Sequence, residues 1–260
     1  MHRDRTEHKQ EFIRTGSLGL DLALGGGWPV GHISELSGPP DSGKSVLAYY
    51  AIANAQAPPD AMAGFIDAHG TFNPDFARMV GVDLGRVVVG RSLDLLPQLL
   101  PFCALVVVDP LLTFSYTPSL QGTTVLYTTE LRKNLGRYHA TMHVRTGGVQ
   151  EASAYVNLRA SVREGVQTTT FKVEGASFTE PWQRMEGKFD ILDTGIDDAL
   201  EVLDWGVSLG VIKKRGNWYH LRWGLTPIQG RDNAAVWLDD HPKILSAIEN
   251  QIRHSACLTG

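Results

Sequence analysis

Cysteine is scarce in this chain, and long apolar runs are missing. The 260 residues include 2 cysteines, Cys103 and Cys257, which lie far apart. Such a pair gives no disulfide framework and fits a reducing compartment. No apolar stretch approaches the roughly 18 residues of a membrane-spanning helix. The charged start, residues 1–9, is followed by no apolar segment, which argues against a signal peptide. We therefore expect a cytoplasmic protein.

The chain also lacks an excess of basic residues. Its formal net charge is −4, with 24 Lys and Arg against 28 Asp and Glu. Bulk charge therefore gives no support for nucleic-acid binding, which would have to depend on local basic patches. Hydrophobic residues make up 43% and charged residues 20%, the mix of a globular protein. The length allows one large domain, or one with a small appendage.

The most informative motif present is a glycine-rich stretch that ends in Gly-Lys-Ser. It follows an alternating segment, residues 32–37, that predicts a strand, and it precedes residues 46–55, which favour a helix. This is the phosphate-binding loop pattern, and the alternative is a glycine-rich turn with an incidental lysine. In the functional interpretation backbone N–H groups surround phosphate, Lys44 reaches the terminal phosphates and Ser45 ligates Mg²⁺. The motif comprises Gly38, Pro39, Pro40, Asp41, Ser42, Gly43, Lys44 and Ser45.

Strand and helix patterns alternate through the first part of the chain. This alternation predicts an α/β fold with a doubly wound, mostly parallel sheet that binds its ligand at the carboxyl ends of the strands. The predicted strands after the motif cover residues 63–67, 86–89, 105–109 and 141–144, and the predicted helices cover residues 74–80, 93–100 and 122–138.

The pattern changes after residue 148, where paired strands are predicted at 155–163 and 167–173 and a further strand at 188–192. A small α+β module follows, with helices at 197–206, 233–238 and 242–253 and a hairpin at 216–223. We divide the chain into a loose arm (1–14), a core that contains the phosphate-binding loop (15–194) and a small C-terminal domain (195–260).

Three side chains at predicted strand ends are candidates for metal binding or catalysis. Asp109 closes an apolar strand and could hold Mg²⁺, although an Asp before Pro110 also suits a turn or a helix N-cap. Asp67 lies at the end of the strand at 63–67 and His69 follows it, and either could orient an attacking water. A solvent-exposed loop position is the alternative for His69.

Two basic clusters are candidates for nucleic-acid contact. Arg132, Lys133 and Arg137 fall on the helix predicted at 122–138, where an ordinary solvated face is the alternative. A second cluster precedes Trp218 and Tyr219, and basic residues beside aromatic ones suit phosphate contact with base stacking. The tryptophan could equally belong to the core of a small module. The second cluster consists of Lys213, Lys214 and Arg215.

From about residue 13 to the end, an ordered set of motifs resembles bacterial RecA, the DNA strand-exchange ATPase. The matching segments are residues 15–21, 38–45, 65–68, 73–78, 81–83, 106–109 and 146–148, with 195–196, 202–207, 216–219 and 229–238 in the tail. The resemblance implies a RecA-like core, ATP with Mg²⁺ and work in recombination or DNA repair. It also implies that Phe76 stacks on the adenine and that Asn73 occupies the place of a base-contacting Asp.

The sequence departs from the family pattern at positions that serve ATP hydrolysis, filament formation and DNA binding. His69 stands where the family has its catalytic glutamate, and the arm before Phe12 offers no counterpart of the amino-terminal helix of the filament. The two DNA-binding loops, expected between Pro118 and Thr124 and before Thr146, are short. The nucleotide-sensing Asn–Gln pair is missing before Thr146, and residues 173–181 lack the lysine pair that reaches across the subunit interface.

Taken together, the departures predict ATP binding with very slow or no hydrolysis and no strand exchange, because basic groups at the phosphates can supply several powers of ten in rate. We expect an accessory factor that acts on DNA, a RecA filament or a repair polymerase and forms no RecA-type filament itself. A minimal DNA-dependent ATPase and recombinase of a phage or mobile element is one alternative. A structural module stabilised by its nucleotide is another.

Overall fold

A computed structural model describes residues 10–111, 118–135, 141–146, 152–163, 165–177, 186–221 and 226–258. Its strands are β1 (Phe12–Ile13), β2 (Trp28–Pro29), β3 (Ile33–Gly38), β4 (Met62–Asp67), β5 (Val87–Gly90), β6 (Cys103–Asp109), β7 (Thr124–Leu135), β8 (Thr141–Thr146), β9 (Ala154–Arg163), β10 (Val166–Ala176), β11 (Glu186–Leu192), β12 (Gly195–Ile196), β13 (Lys213–Arg215), β14 (Trp218–His220) and β15 (Ile228–Gln229). Its helices are α1 (Leu18–Leu24), α2 (Lys44–Ala55), α3 (Pro74–Met79), α4 (Leu96–Leu99), α5 (Asp198–Ser208), α6 (Arg231–Asp239) and α7 (Pro242–Leu258).

One 10-stranded sheet dominates the fold, in the order β12-β11-β10-β9-β3-β7-β6-β4-β5, with β8 attached to β7. The strands from β9 to β5 in this order run parallel to their neighbours, and β10 to β12 extend the sheet antiparallel. The α/β core predicted from the sequence is therefore confirmed. The sheet is mixed overall, because the parallel strands form only its middle and one side.

The central parallel strands β3, β4 and β6 are buried on both faces, which explains their nearly continuous apolar sequences. Leu36 and Leu126 pack with Leu47 of α2 on one face. Val125 and Tyr127 belong to the cluster on the other face, together with α4. Side chains alternate between the faces of a strand, so the even-numbered residues of the stretch 124–130 point toward α2 and the odd-numbered residues of that stretch point away.

The helix predicted at residues 122–138 is wrong, because residues 124–135 form the strand β7. The Thr and Val residues at the start of the segment favour a strand. The strand predicted at 141–144 exists as β8, yet it pairs antiparallel with β7 and does not continue the parallel series. The strand beside the phosphate loop is therefore β7, and β8 forms an antiparallel pair with its second half.

The loose arm predicted at residues 1–14 is wrong for its last residues, because Phe12–Ile13 forms β1 and pairs with β2. Ile13 is buried in the main core. Residues 1–9 lie outside the described residues.

The C-terminal part builds a second, smaller core. Helices α5, α6 and α7 pack around Tyr219, Leu238 and Ile252, beside the small sheet of β13, β14 and β15. The proposed boundary at residue 195 stays a prediction, since β12 pairs with β11 of the large sheet. None of the helices in the described ranges has the length and apolarity that a bilayer crossing requires.

A buried carboxylate joins this smaller core to α1. Glu201 of α5 accepts hydrogen bonds from the Ser17 hydroxyl at 2.7 Å and from the backbone N–H groups of Leu18 at 3.0 Å and Gly19 at 3.2 Å. A carboxylate at a helix N-terminus is favoured by the helix dipole. Burial nevertheless dominates and raises the pKa of Glu201 to about 8, and burial also raises the pKa of Asp198 to about 7.

We predict that this junction makes the protein less stable as the pH rises. Glu201 stays protonated in the folded state up to a pKa of about 8 but ionises near its ordinary value when unfolded. The folded state thus binds more protons between these values, and stability falls as pH rises through that window. We expect the free energy of unfolding to drop by roughly 2 kcal/mol through Glu201 from pH 6 to pH 8, and by about 1 kcal/mol more through Asp198.

Glu201→Gln should flatten this pH dependence and leave the smaller slope that Asp198 contributes. Urea denaturation of both proteins at several pH values measures the difference. An unchanged slope in the variant would contradict the assignment to Glu201.

Candidate functional site

The phosphate loop lies between β3, which ends at Gly38, and α2, which begins at Lys44. Asp41 has φ of 59° and Gly43 has φ of 92°, so the loop uses the left-handed region at both positions. At Gly38 a Cβ atom would collide with the Ser42 hydroxyl oxygen and lie 3.0 Å from the carbonyl of Leu158. The strand–loop–helix arrangement predicted from the motif is therefore present.

The side chain of Lys44 folds back onto the phosphate loop. Its Nζ donates hydrogen bonds to the carbonyl oxygens of Gly38 at 3.0 Å and Pro39 at 2.8 Å. Burial lowers the pKa of Lys44, and the charges of Asp109, Glu130 and Asp41 oppose that shift. A cation held in this position can move to phosphate oxygens that replace the two carbonyls.

Asp109 at the end of β6 connects three elements. Its Oδ2 accepts a hydrogen bond from the Ser45 hydroxyl of α2 at 2.7 Å, and its Oδ1 accepts one from the Thr128 hydroxyl of β7. Asp109 is buried, so both contacts are shielded from water. The hydroxyl and carboxylate oxygens of Ser45 and Asp109 are hard donors of the kind Mg²⁺ prefers, so this predicted pair fits the metal.

The other side of the loop is supported by the antiparallel strand β10. Gln167 donates to the carbonyl of Asp41 at 3.0 Å, and Thr169 donates to the carbonyl of Ser42 at 3.3 Å. An open cavity of 230 Å³ lies over the loop, lined by Asp41, Ser42, Gly43, Lys44, Ser45, Val46 and Gln167. The buried Ser42 hydroxyl has no hydrogen-bond partner among the described residues. The loop thus presents one unsatisfied polar atom besides its backbone.

The two candidates for water activation differ in their surroundings. Asp67 is buried, and its carboxylate accepts hydrogen bonds from the backbone N–H groups of Gly70 at 2.8 Å, Thr71 at 3.0 Å and Phe72 at 2.8 Å. It therefore shapes the loop that follows β4. His69 is exposed at the tip of that loop. Catalytic roles for both residues stay predictions.

The residues predicted at the adenine begin α3. The Asn73 side chain accepts hydrogen bonds from the N–H groups of Asp75 at 3.1 Å and Phe76 at 3.0 Å and so caps the helix. The Phe76 ring is partly buried, with its centroid 6.0 Å from that of Tyr49. Both residues stabilise the local structure, Asn73 as the helix cap and Phe76 by packing near Tyr49. Their contact with a base stays a prediction.

Sequence reasoning missed a polar run in the middle of β7. Thr128 contacts Asp109, Thr129 donates to the buried Glu35 at 2.9 Å, and Glu130 pairs in register with Gly38. The signal was present, because a Thr-Thr-Glu run that closes an apolar strand resembles the pattern that identified Asp109. The incorrect helix prediction concealed it.

The structure places the two predicted basic clusters in different surroundings. Arg132 and Lys133 lie on β7, so the helical face assumed for them does not exist, and Arg137 lies outside the described residues. Lys213, Lys214 and Arg215 form the exposed strand β13.

Strand β13 pairs with aromatic residues of β14. Arg215 is opposite Trp218, whose side chain is 45% exposed, and Lys214 lies over the ring of the buried Tyr219 with its Nζ 5.1 Å from the ring centroid. The structure therefore brings this basic segment beside an exposed aromatic ring.

The fold and the site together define the class, which is an α/β protein with a phosphate loop beside a metal-ligand pair. Within this class the comparisons identify the family. Residues 1–111 match the model of the RecA N-terminal domain, and residues 200–256 match that of the RecA C-terminal domain.

Similar full-length proteins agree with the two family models. Protein RecA of a Chelativorans species is 31% identical over 95% of this chain and 81% of its own length. Protein RecA of Bifidobacterium longum is 30% identical over 99% of this chain and 76% of its own length. Protein RecA of Crocosphaera subtropica is 30% identical over 96% and 84% respectively. The chain belongs to the RecA family.

The Asp109 contacts lead to a test of the metal pair. In Thr128→Val the hydroxyl that donates to Asp109 is lost while the side-chain shape is kept, so we expect a cost of about 1 kcal/mol in unfolding free energy. We also expect ATP to bind several-fold more weakly with Mg²⁺ present, because Asp109 loses its orientation.

Urea denaturation and calorimetric titration measure the two effects. Thr170→Val is the matched control, since that hydroxyl donates only to the carbonyl of Arg159 on the neighbouring strand. Equal effects of the two variants on ATP affinity would contradict the role given to Thr128.

Proposed function

We propose that this protein binds ATP with Mg²⁺ and acts in DNA recombination or repair as an accessory or regulatory member of the RecA family. Family membership supports the general role. The observation that carries the proposal is the contact of Ser45 and Asp109 beside a phosphate loop in which Lys44 is buried. The backbone of the loop and Lys44 would bind the phosphates, and Ser45 with Asp109 would hold the metal. Mg²⁺, when bound, neutralises charge on the terminal phosphates.

Weak or absent hydrolysis is the second part of the proposal. It is supported by the three backbone N–H groups that engage Asp67 and by the exposed position of His69. It is further supported by the sequence of residues 173–181, which contains no Lys or Arg. Phosphoryl transfer without a positioned water activator and a cationic partner is slow. Strand exchange driven by ATP turnover is accordingly not expected.

The proposed partners are DNA and a protein such as a RecA filament or a repair polymerase. The exposed segment Lys213–Arg215 beside Trp218 supports DNA contact, because phosphate binding by basic residues and stacking on an aromatic ring act together in single-strand binding. The alternative function is a minimal DNA-dependent ATPase and recombinase, in which His69 or Asp67 orients water.

Nucleotide binding and turnover measured in one sample separate these functions. We expect saturable binding of ATP–Mg²⁺ and turnover on the order of 10⁻³ s⁻¹ or slower, with little change on adding single-stranded DNA. Lys44→Ala is the control and should lose binding. Brisk DNA-stimulated hydrolysis by the wild type would support the alternative, and failure of ATP–Mg²⁺ to bind would overturn the proposal.

The basic segment is tested by the salt dependence of DNA binding. The triple variant with Lys213→Ala, Lys214→Ala and Arg215→Ala should bind DNA more weakly and show a salt slope lower by about one per phosphate contact removed. Lys172→Ala with Lys188→Ala is the control, because both lysines are exposed on the large sheet instead. If the triple variant keeps the DNA affinity and the salt dependence of the wild type, the segment does not contact DNA.

A further inference from the structure

Glu130 stands where the parallel part of β7 meets the phosphate loop. It is the register partner of Gly38, the first residue of the loop, and this pair ends the β3–β7 ladder. Its side chain is half-buried. The carboxyl ends of parallel strands are where α/β sheets bind ligands, so Glu130 lies at the ligand edge of the sheet.

The alternation along β7 fixes the side on which Glu130 projects. Leu126 packs in the cluster that contains α2, and Thr128 donates to the Asp109 carboxylate that also receives Ser45 of α2. Glu130 is two residues farther along and therefore projects on the same face. Thr129 projects to the opposite face and meets Glu35 there. Glu130 thus faces Lys44 and the start of α2.

The electrostatics of the loop agree with this placement. Burial lowers the pKa of Lys44, while the negative charges of Asp109, Glu130 and Asp41 act in the opposite direction. Three carboxylates therefore act on the charge of one lysine of the loop. A triphosphate that enters without a metal adds further negative charge to this surrounding.

We propose that Glu130 is an anionic selectivity residue that makes triphosphate binding depend on a divalent cation. Without the cation, Glu130 repels the terminal phosphate near Lys44. The repulsion of a diphosphate is weaker, because its negative charge is smaller. With the cation bound, part of the negative charge of the phosphates is neutralised and the repulsion is weakened. This inference rests on the proposed nucleotide binding.

The test compares nucleotide affinities by calorimetric titration with Mg²⁺ and with EDTA. We expect the wild type to bind metal-free ATP more weakly than metal-free ADP, and Mg²⁺ to abolish that preference. In Glu130→Gln the affinity for metal-free ATP should rise about tenfold, which corresponds to 1.4 kcal/mol, and the affinity for ATP–Mg²⁺ should change much less.

Glu186→Gln is the matched control, because Glu186 is exposed on β11 in the same sheet and should leave all affinities unchanged. Thermal unfolding verifies that the variants fold, and Glu130→Ala serves as a second variant if the glutamine variant does not. If the wild type binds ATP–Mg²⁺ but the Glu130 variants bind metal-free ATP no more tightly than the wild type does, this inference alone is overturned. Absence of any nucleotide binding by the wild type overturns the proposed function and this inference with it.

Discussion

The Asp109 carboxylate is the point on which the site depends. It receives one hydroxyl from the helix that follows the phosphate loop and another from the neighbouring strand β7. Because the carboxylate is buried, loss of either donor would remove one of these two hydrogen bonds in a place that water reaches poorly. The order of β6, β7 and β3 in the sheet is thereby linked to the orientation of the metal-ligand pair.

Much of the fold could be predicted because its signals are local. Gly25 ends α1 in a left-handed conformation, Pro74 begins α3, and the paired strands β9 and β10 follow a clear alternation. The phosphate loop belongs to the same group, since its glycines are required by backbone geometry.

The failures concern pairing between distant segments. Residues 124–135 carry no glycine or proline, and their strand state comes from insertion between β3 and β6 in the first half and from pairing with β8 in the second. That insertion put Thr128 and Glu130 at the loop, which local patterns do not specify. In the same way, the three backbone N–H groups that donate to Asp67 depend on how the chain folds after β4, and the strand pattern alone does not specify them. The supporting role of β10 under the loop also depends on tertiary contacts alone.

Strand β7 belongs to two structures at once. Its first half is a parallel member of the buried sheet, and its second half pairs with β8 as an antiparallel ribbon. The changeover falls at Glu130, which pairs with Gly38 on one side and Thr146 on the other. A displacement of the ribbon would therefore be transmitted along the continuous backbone of β7 to the start of the phosphate loop.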